Sequence, residues 1–319
     1  MKNFTRFYSV GTLLYCPANN TTIAESIINN KFEQPFSLAL CLEDTINDKY
    51  VDEAERILGC SLEKICKAGI VKEFYLPEIF IRVRNTEQLL RLYSAFGDCM
   101  RIVTGFIAPK FAMDNADKYI DAIAQLNEKS KEPVYLMPIF ESPSIIDLRY
   151  RYDILYNLKD KLSAIEDRVL CIRVGGNDLC HVFGFRRHDD ESIHRIKPVA
   201  QIFSDIITVY GNEYVVSGPV WEYFNGGNWK QGLINEIADD KLCGFTGKTV
   251  IHPNQIKVVN DAYAVEKRDF ESAKSILSWN TESHSLVSAD IGKERMDELK
   301  THTNWAKKIL FLSEVYGIK

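Results

Sequence analysis

Eight short apolar runs recur along the chain, and each is followed by a stretch with helical spacing. The runs are TLLYC (12–16), SLALCL (37–42), IFIRV (79–83), IVTGFIA (102–108), VYLMPIF (134–140), LCIRV (170–174), YVVSG (214–218) and KTVIH (248–252). Short apolar runs of this kind read as strands covered on both faces. Between them, TTIAESIINN places Ile23, Ile27 and Ile28 on one helical face. NTEQLLRLYSAF does the same with Leu89, Leu92, Tyr93 and Phe96 after Thr86, and DKYIDAIAQL with Tyr119, Ile120, Ile123 and Leu126. Strand and helix alternating eight times is the pattern of a (β/α)8 TIM barrel, an α/β fold. An open doubly wound sheet competes, but it carries a glycine-rich first turn, and the turn here, CPANN, has none. The expectation is a barrel over residues 1–256. Residues 257–319 are expected to form a helical C-terminal extension, covering the barrel mouth or a neighbouring subunit's active site.

Composition narrows the function classes. The chain has 319 residues, 46% of them hydrophobic, enough for one large core. A net charge of −5 offers no basic face to nucleic acid or anionic lipid. No apolar run approaches the roughly eighteen residues of a membrane span, and the opening MKNFTRFYSVGTLLYCPANN has no run of signal-peptide length. The eight cysteines are scattered with no C-x-x-C pair, and several, such as Cys41 in LALCL and Cys171 in VLCIRV, sit in apolar runs. A cytoplasmic protein handling a small molecule is expected, without a cysteine zinc site. The segment GFTGKTVIHPNQI (244–256) is not a phosphate loop. Only Phe245 and Thr246 separate its glycines, where a Walker loop needs four residues.

In a barrel the chemistry lies at the C-terminal strand ends. Read in order, those ends give Pro17 and Asn19, then Glu43-Asp44, Arg82 and Arg84, Lys110, Glu141, Asp178, Ser217 and His252. Each has a plain alternative: Glu141 as a solvated loop acid, Asp178 as a helix cap, Arg82 as an ion pair on the barrel wall. The combination points further. Two carboxylates on neighbouring strands make a Mg²⁺ site with positions left for water and substrate, and an arginine across the mouth supplies a planar fork for a substrate carboxylate. Such an arrangement suits chemistry in which an enolate or alkoxide develops beside a carboxylate.

The motifs resemble the citrate lyase beta-subunit-like family of Mg²⁺-dependent C–C lyases and aldolases, relatives of the phosphoenolpyruvate barrels. The resemblance runs nearly end to end, through LLYCPANN, LEDTI, IRVRN, APKF, LMPIFESP, VGGNDL, GFTGKTVIHPNQI and ERMDELK. It implies Glu141 and Asp178 as Mg²⁺ ligands and Arg82 as binder of a 2-oxo acid's carboxylate or developing oxyanion. Glu43 and Asp44 would hold Arg82 or a metal-bound water. Asp297 would be an acid/base, in some relatives reaching a neighbouring subunit's site. Pro17, Asn19 and Lys110 would complete the substrate-facing ring. Also implied are a homo-oligomer, a trimer or a multiple of one, and a 2-oxo acid or acyl-thioester (CoA) partner. The implied reaction is retro-aldol or retro-Claisen cleavage. Malate-synthase-like Claisen condensation and a catalytically reduced metabolite-binding role are the alternatives.

The chain departs from the family pattern at Ala18, Cys41 and Ser217, where relatives carry glycine, aspartate and an acid. In this it resembles stand-alone barrel lyases of bacterial stress and tellurium-resistance systems. The aromatics Trp221, Tyr223, Phe224 and Trp229 read as core rather than lid. FGFRRHDDESIHR (183–195), with Arg186 and Arg187, reads as a solvated loop.

Overall fold

The computed structural model describes residues 5–282, 284–290 and 292–319. All eight apolar runs contain strands: β1 (Thr12–Pro17), β2 (Ser37–Cys41), β3 (Glu78–Arg82), β4 (Val103–Ala108), β5 (Tyr135–Phe140), β6 (Ile172–Val174), β7 (Val216–Val220) and β8 (Lys248–Val250). Each pairs in parallel with the next, and β8 returns to β1 through Thr12↔Lys248, so the sheet closes in sequence order. The expected TIM barrel is the observed fold.

Alternation along each strand divides the core in two. Leu14, Leu38, Ile81 and Phe106 face the helices. Their strand neighbours Leu13, Ala39, Phe80 and Ile107 face inward and fill the barrel. The surrounding helices are α1 (Ile23–Ile28), α2 (Val51–Val71), α3 (Thr86–Phe96), α4 (Ala116–Lys129), α5 (Arg151–Leu162), α6 (Gly176–Phe183), α7 (Lys197–Tyr210), α8 (Trp229–Leu242) and α9 (Asn254–Tyr263). Asn85 caps α3, while Asn20 holds the turn that leads into α1, whose N-cap Thr22 makes no side-chain capping bond. Asn85 accepts from the Gln88 N–H at 2.8 Å, and Asn20 from those of Thr22 and Ile23 at 2.9 and 3.1 Å.

Residue 256 falls inside α9, the helix that completes the last β/α unit. Beyond it come α10 (Lys267–Leu277), an antiparallel pair β9 (Val287–Ala289) and β10 (Met296–Glu298), and α11 (Leu299–Tyr316). This extension packs against the end of the barrel where the strands begin. Phe311 stacks on Tyr8 at 5.1 Å, Val315 and Tyr316 lie against Gly11, and Leu312 joins the inner core. The extension therefore does not cover its own mouth: its apolar helix face matches the open floor of the barrel. Nor is ERMDELK helical from its start, because Asp297 sits on β10 opposite Ser288.

The glycines of GFTGKTVIHPNQI serve backbone geometry. Gly244 and Gly247 adopt φ of +97° and +84°, a region side chains disfavour. Lys248 grips no ligand. Its fully buried ammonium meets Glu236 Oε1 at 2.7 Å and Asp240 Oδ2 at 2.6 Å, and His194 Nε2 lies 2.7 Å from Asp240 Oδ1. Arg187 joins the same network, 3.4 Å from Glu236 and donating to the Val220 carbonyl. It is buried, so the 183–195 segment is anchored at this residue rather than solvated throughout. Removing one partner of a buried ion group strands the others. Lys248→Met should lower unfolding stability by about 3–5 kcal/mol. Urea denaturation checks this, and a loss below about 1 kcal/mol, the range of an exposed pair, would contradict it.

Candidate active site

Arg82 ends β3 and is buried. Its Nη2 meets three carboxylates: Glu43 Oε2 at 2.8 Å, Asp44 Oδ2 at 3.0 Å and Glu141 Oε1 at 3.2 Å. The first two follow β2 and the third follows β5, so barrel closure brings them together. Arg84, two residues on, fixes the loop that carries Glu43 and Asp44. Its Nε donates to the Leu42 carbonyl at 2.7 Å and its Nη1 pairs with Asp48 at 2.6 Å. The Arg82 guanidinium also meets the Cys41 thiol, Nη1 to Sγ 4.0 Å.

Lys110 follows β4 with φ of +48°, unusual for a residue with a side chain. That conformation sends its N–H to Glu141 Oε1 at 3.0 Å. Its ammonium turns to Glu43 Oε1 at 2.6 Å and Asp44 Oδ1 at 3.1 Å. Asp178, in the first turn of α6, brings its carboxyl into hydrogen-bonding reach of Glu141. Gly175 makes room for this meeting, since a Cβ there would stand 2.1 Å from Glu141 Oε2. The family-like VGGNDL is thus a glycine floor beneath one acid followed by a second acid.

The electrostatics follow from crowding. Burial pushes the Glu141 carboxyl up to about 8, and Asp178 adds to the rise against the pull of Arg82 and the Lys110 N–H. Burial and the hydrogen bond with Asp44 raise Glu43. Asp44 is held down at about 2, because Glu43, Arg82 and Lys110 together outweigh its burial. Four carboxyls (Glu43, Asp44, Glu141, Asp178) face two cations (Arg82, Lys110), an excess of two negative charges when all are ionised. Hard oxygen donors with that excess fit a divalent cation such as Mg²⁺. Among the described residues no three His, Cys, Asp or Glu side chains are grouped as metal ligands.

Other sequence-derived candidates stand apart. Pro17 and Asn19 are exposed at the rim, and neither side chain bonds to the cluster. Asp297 is buried on β10 at the opposite end, and it makes no hydrogen bond or ion pair to the cluster of its own chain. His252 lies beyond β8 and stacks on Phe224 at 4.6 Å. Trp221 is fully buried core, while Phe224 is 40% exposed. Sequence reasoning passed over Tyr15, Arg173 and Thr249, which line the inside of the barrel near Arg82. Their signal was the inward phase of alternation within LLYCP, LCIRV and KTVIH.

Residues 5–318 match the family described as C-C_Bond_Lyase of the TIM-Barrel fold. The chain belongs to that family of carbon–carbon bond lyases. It is similar to the citrate lyase subunit beta of Haemophilus influenzae, with 35% identity over 54 residues. That match spans 17% of this chain and 19% of the relative. Among solved structures, CitE of Mycobacterium tuberculosis in complex with magnesium, acetoacetate and coenzyme A shares the fold. The TM-score is 0.61 and the identity 17%, covering 97% of this chain and 99% of that one. The citrate lyase beta subunit of the same organism, complexed with oxaloacetate and magnesium, gives 0.53 and 17% over 82% and 99%. RipC of Yersinia pestis gives 0.52 and 14% over 80% and 95%.

The raised Glu141 carboxyl has a consequence for metal-free stability. Folded, it keeps its proton up to about 8; unfolded, it releases it near 4.5. Its contribution is therefore complete below pH 4.5 and falls away as pH rises through 8. Metal-free Glu141→Gln should melt higher than wild type at pH 8 and match it at pH 4.5. Calorimetric scans at the two values check this, and a lower melting point at pH 8 would contradict it.

Proposed function

We propose that this barrel is a Mg²⁺-dependent carbon–carbon lyase cleaving a hydroxy-acid or hydroxy-acyl substrate to release a 2-oxo acid. The carrying observation is the meeting of Glu141 and Asp178 beside Arg82, within a cluster short of positive charge. Glu141 and Asp178 would hold the ion. When bound it supplies Lewis-acid stabilisation of the substrate's hydroxyl oxygen, which becomes the ketone oxygen of the 2-oxo acid, and of the adjacent carboxylate. The relatives crystallised with magnesium and oxaloacetate or pyruvate support this reading.

The chain's own groups have separable tasks. Arg82, pre-set by Glu43 and Asp44, offers its remaining N–H groups to a carboxylate or to the oxyanion that develops as the bond breaks. Lys110 keeps Glu43 and Asp44 in place by a second route, so the guanidinium cannot swing toward either acid alone. In the cleavage direction a base removes the substrate's hydroxyl proton and the O–H pair forms the new carbonyl. The C–C pair then leaves as an enolate, which is afterwards protonated. Asp297 is our candidate for that base. Its position on the far side of its own barrel means that it would act in the site of a second copy.

Two outcomes test this reading. Glu141→Gln and Asp178→Asn should each weaken Mg²⁺ binding and cut turnover on the order of a thousandfold, about 4 kcal/mol. Unchanged values in both variants, by calorimetry and product analysis, would end the metal assignment. Inactive Arg82→Gln and Asp297→Asn chains, co-expressed in equal amounts, should recover about a quarter of wild-type activity if each site draws one residue from each copy. No recovery would overturn the shared site, and full activity in Asp297→Asn alone would remove Asp297 from the reaction.

A further inference from the structure

A cavity of about 600 Å³ lies along the loop that joins α6 to α7, lined by residues 184–187, 191–192 and 195–198. None of the six charged residues of the mouth borders it. Four of its lining residues are cations, Arg186, Arg187, Arg195 and Lys197, against one acid, Glu191. That acid is already engaged, accepting from the His188 N–H at 2.8 Å. Arg186 reaches Glu222 at 3.8 Å. Arg195 and Lys197 are exposed and, among the described residues, make no ion pair.

Arg187 is the one lining cation that is buried, so it forms the cavity's inner wall. Its Nη2 is taken by the Val220 carbonyl and by Glu236. Its Nε and Nη1 have no hydrogen-bond partner. Nor has Nε1 of Trp221, whose ring centroid lies 5.2 Å from the Arg187 guanidinium carbon. Among the described residues four buried side-chain nitrogens lack an acceptor: these three, and Nε of Arg82 at the mouth. Folded chains rarely leave buried N–H groups unpaired, so three together mark a missing acceptor. The cavity also meets the N-terminus of α7, at Lys197 and Pro198. The N-cap there, Ile196, offers no side-chain oxygen to the first N–H groups, which leaves the positive end of the helix dipole free.

All of these groups are donors or cations, so the occupant they fit is an anion. A carboxylate has two oxygens and one charge. Three buried donors, two unpaired cations and a helix N-terminus match the three oxygens and near-double charge of a phosphate group instead. The volume leaves room for an organic part. Phe185, 44% exposed and stacked on Phe183 at 5.9 Å, gives that part an apolar side.

We propose that this cavity binds the phosphate group of a small organic phosphate, at a site separate from the lyase mouth. Arg195, Lys197 and the α7 N-terminus hold its oxygens from the solvent side, and Arg187 with Trp221 from the inner side. The site does not depend on the 2-oxo-acid reading, since no mouth residue takes part in it.

The test is calorimetric titration of the full chain with inorganic phosphate in metal-free chloride buffer. Wild type should take up one phosphate per chain. Arg195→Gln/Lys197→Gln should bind it at least about tenfold more weakly, and Arg187→Gln should be weakened too. Lys110→Met, which removes the exposed cation of the mouth, should bind phosphate as wild type does. Phosphate should also raise the melting temperature of wild type and leave that of the double variant unmoved. Absence of binding in wild type, undiminished binding in either cavity variant, or equal melting shifts overturn the site. A loss in Lys110→Met places the phosphate at the mouth and overturns it as well. Should Arg187→Gln fail to fold, the double variant, altered at exposed side chains alone, decides by the same titration.

Discussion

Arg82 is the point on which the geometry of the mouth turns. One nitrogen of one guanidinium stands within 3.2 Å of three carboxylates from two separate parts of the chain. Take away its positive charge and those acids repel one another across a few ångströms of low dielectric. With it in place they form a fixed anionic rim that is still short of cations. A folded chain tolerates such an arrangement when a ligand completes the charge balance, and functional sites are where that tolerance concentrates. The strained backbone of Lys110 belongs to the same economy of position, because a left-handed residue is what lets one side chain and its own N–H serve three acids.

The barrel supplies the convergence that Arg82 exploits. Parallel strands all deliver their C-terminal ends to one rim, so residues 43, 82, 141 and 178 become neighbours without any local sequence reason to be so. The opposite rim is closed by the chain itself, through Phe311, Leu312 and Tyr316 of α11. The result separates a stability face, apolar and sealed, from a chemical face, polar and open. The buried Lys248–Glu236–Asp240 group ties the outer helix α8 to β8 at the seam where the barrel closes on β1.

The eight strands were legible because burial on both faces writes itself as uninterrupted apolar runs. The convergence of Glu43, Asp44, Glu141 and Arg82 was legible because the acids follow such runs and Arg82 lies at the end of one. What could not be read was direction and depth. The amphipathic spacing of α11 says that one face is buried but not which end of the barrel it covers. Arg173 lies in an apolar run like Arg82, and nothing in the letters says that one gathers three acids and the other none. The segment MDE has no strand pattern of its own and becomes β10 only by pairing with β9. Arg187 was hidden by its neighbours, since a run of mixed charges looks solvated even when one member is drawn inward onto Trp221, 5.2 Å from its ring.

The account stands on a single cation shared by two acids that are 37 positions apart in the sequence. Diffraction from crystals soaked in Mn²⁺ with oxaloacetate, recorded at the manganese absorption edge, addresses this directly. The account predicts one anomalous peak about 2.1 Å from carboxylate oxygens of both Glu141 and Asp178, with the acid's oxygens filling the open side toward Arg82. A peak held by neither residue, or soaked crystals with the pair empty, would contradict it.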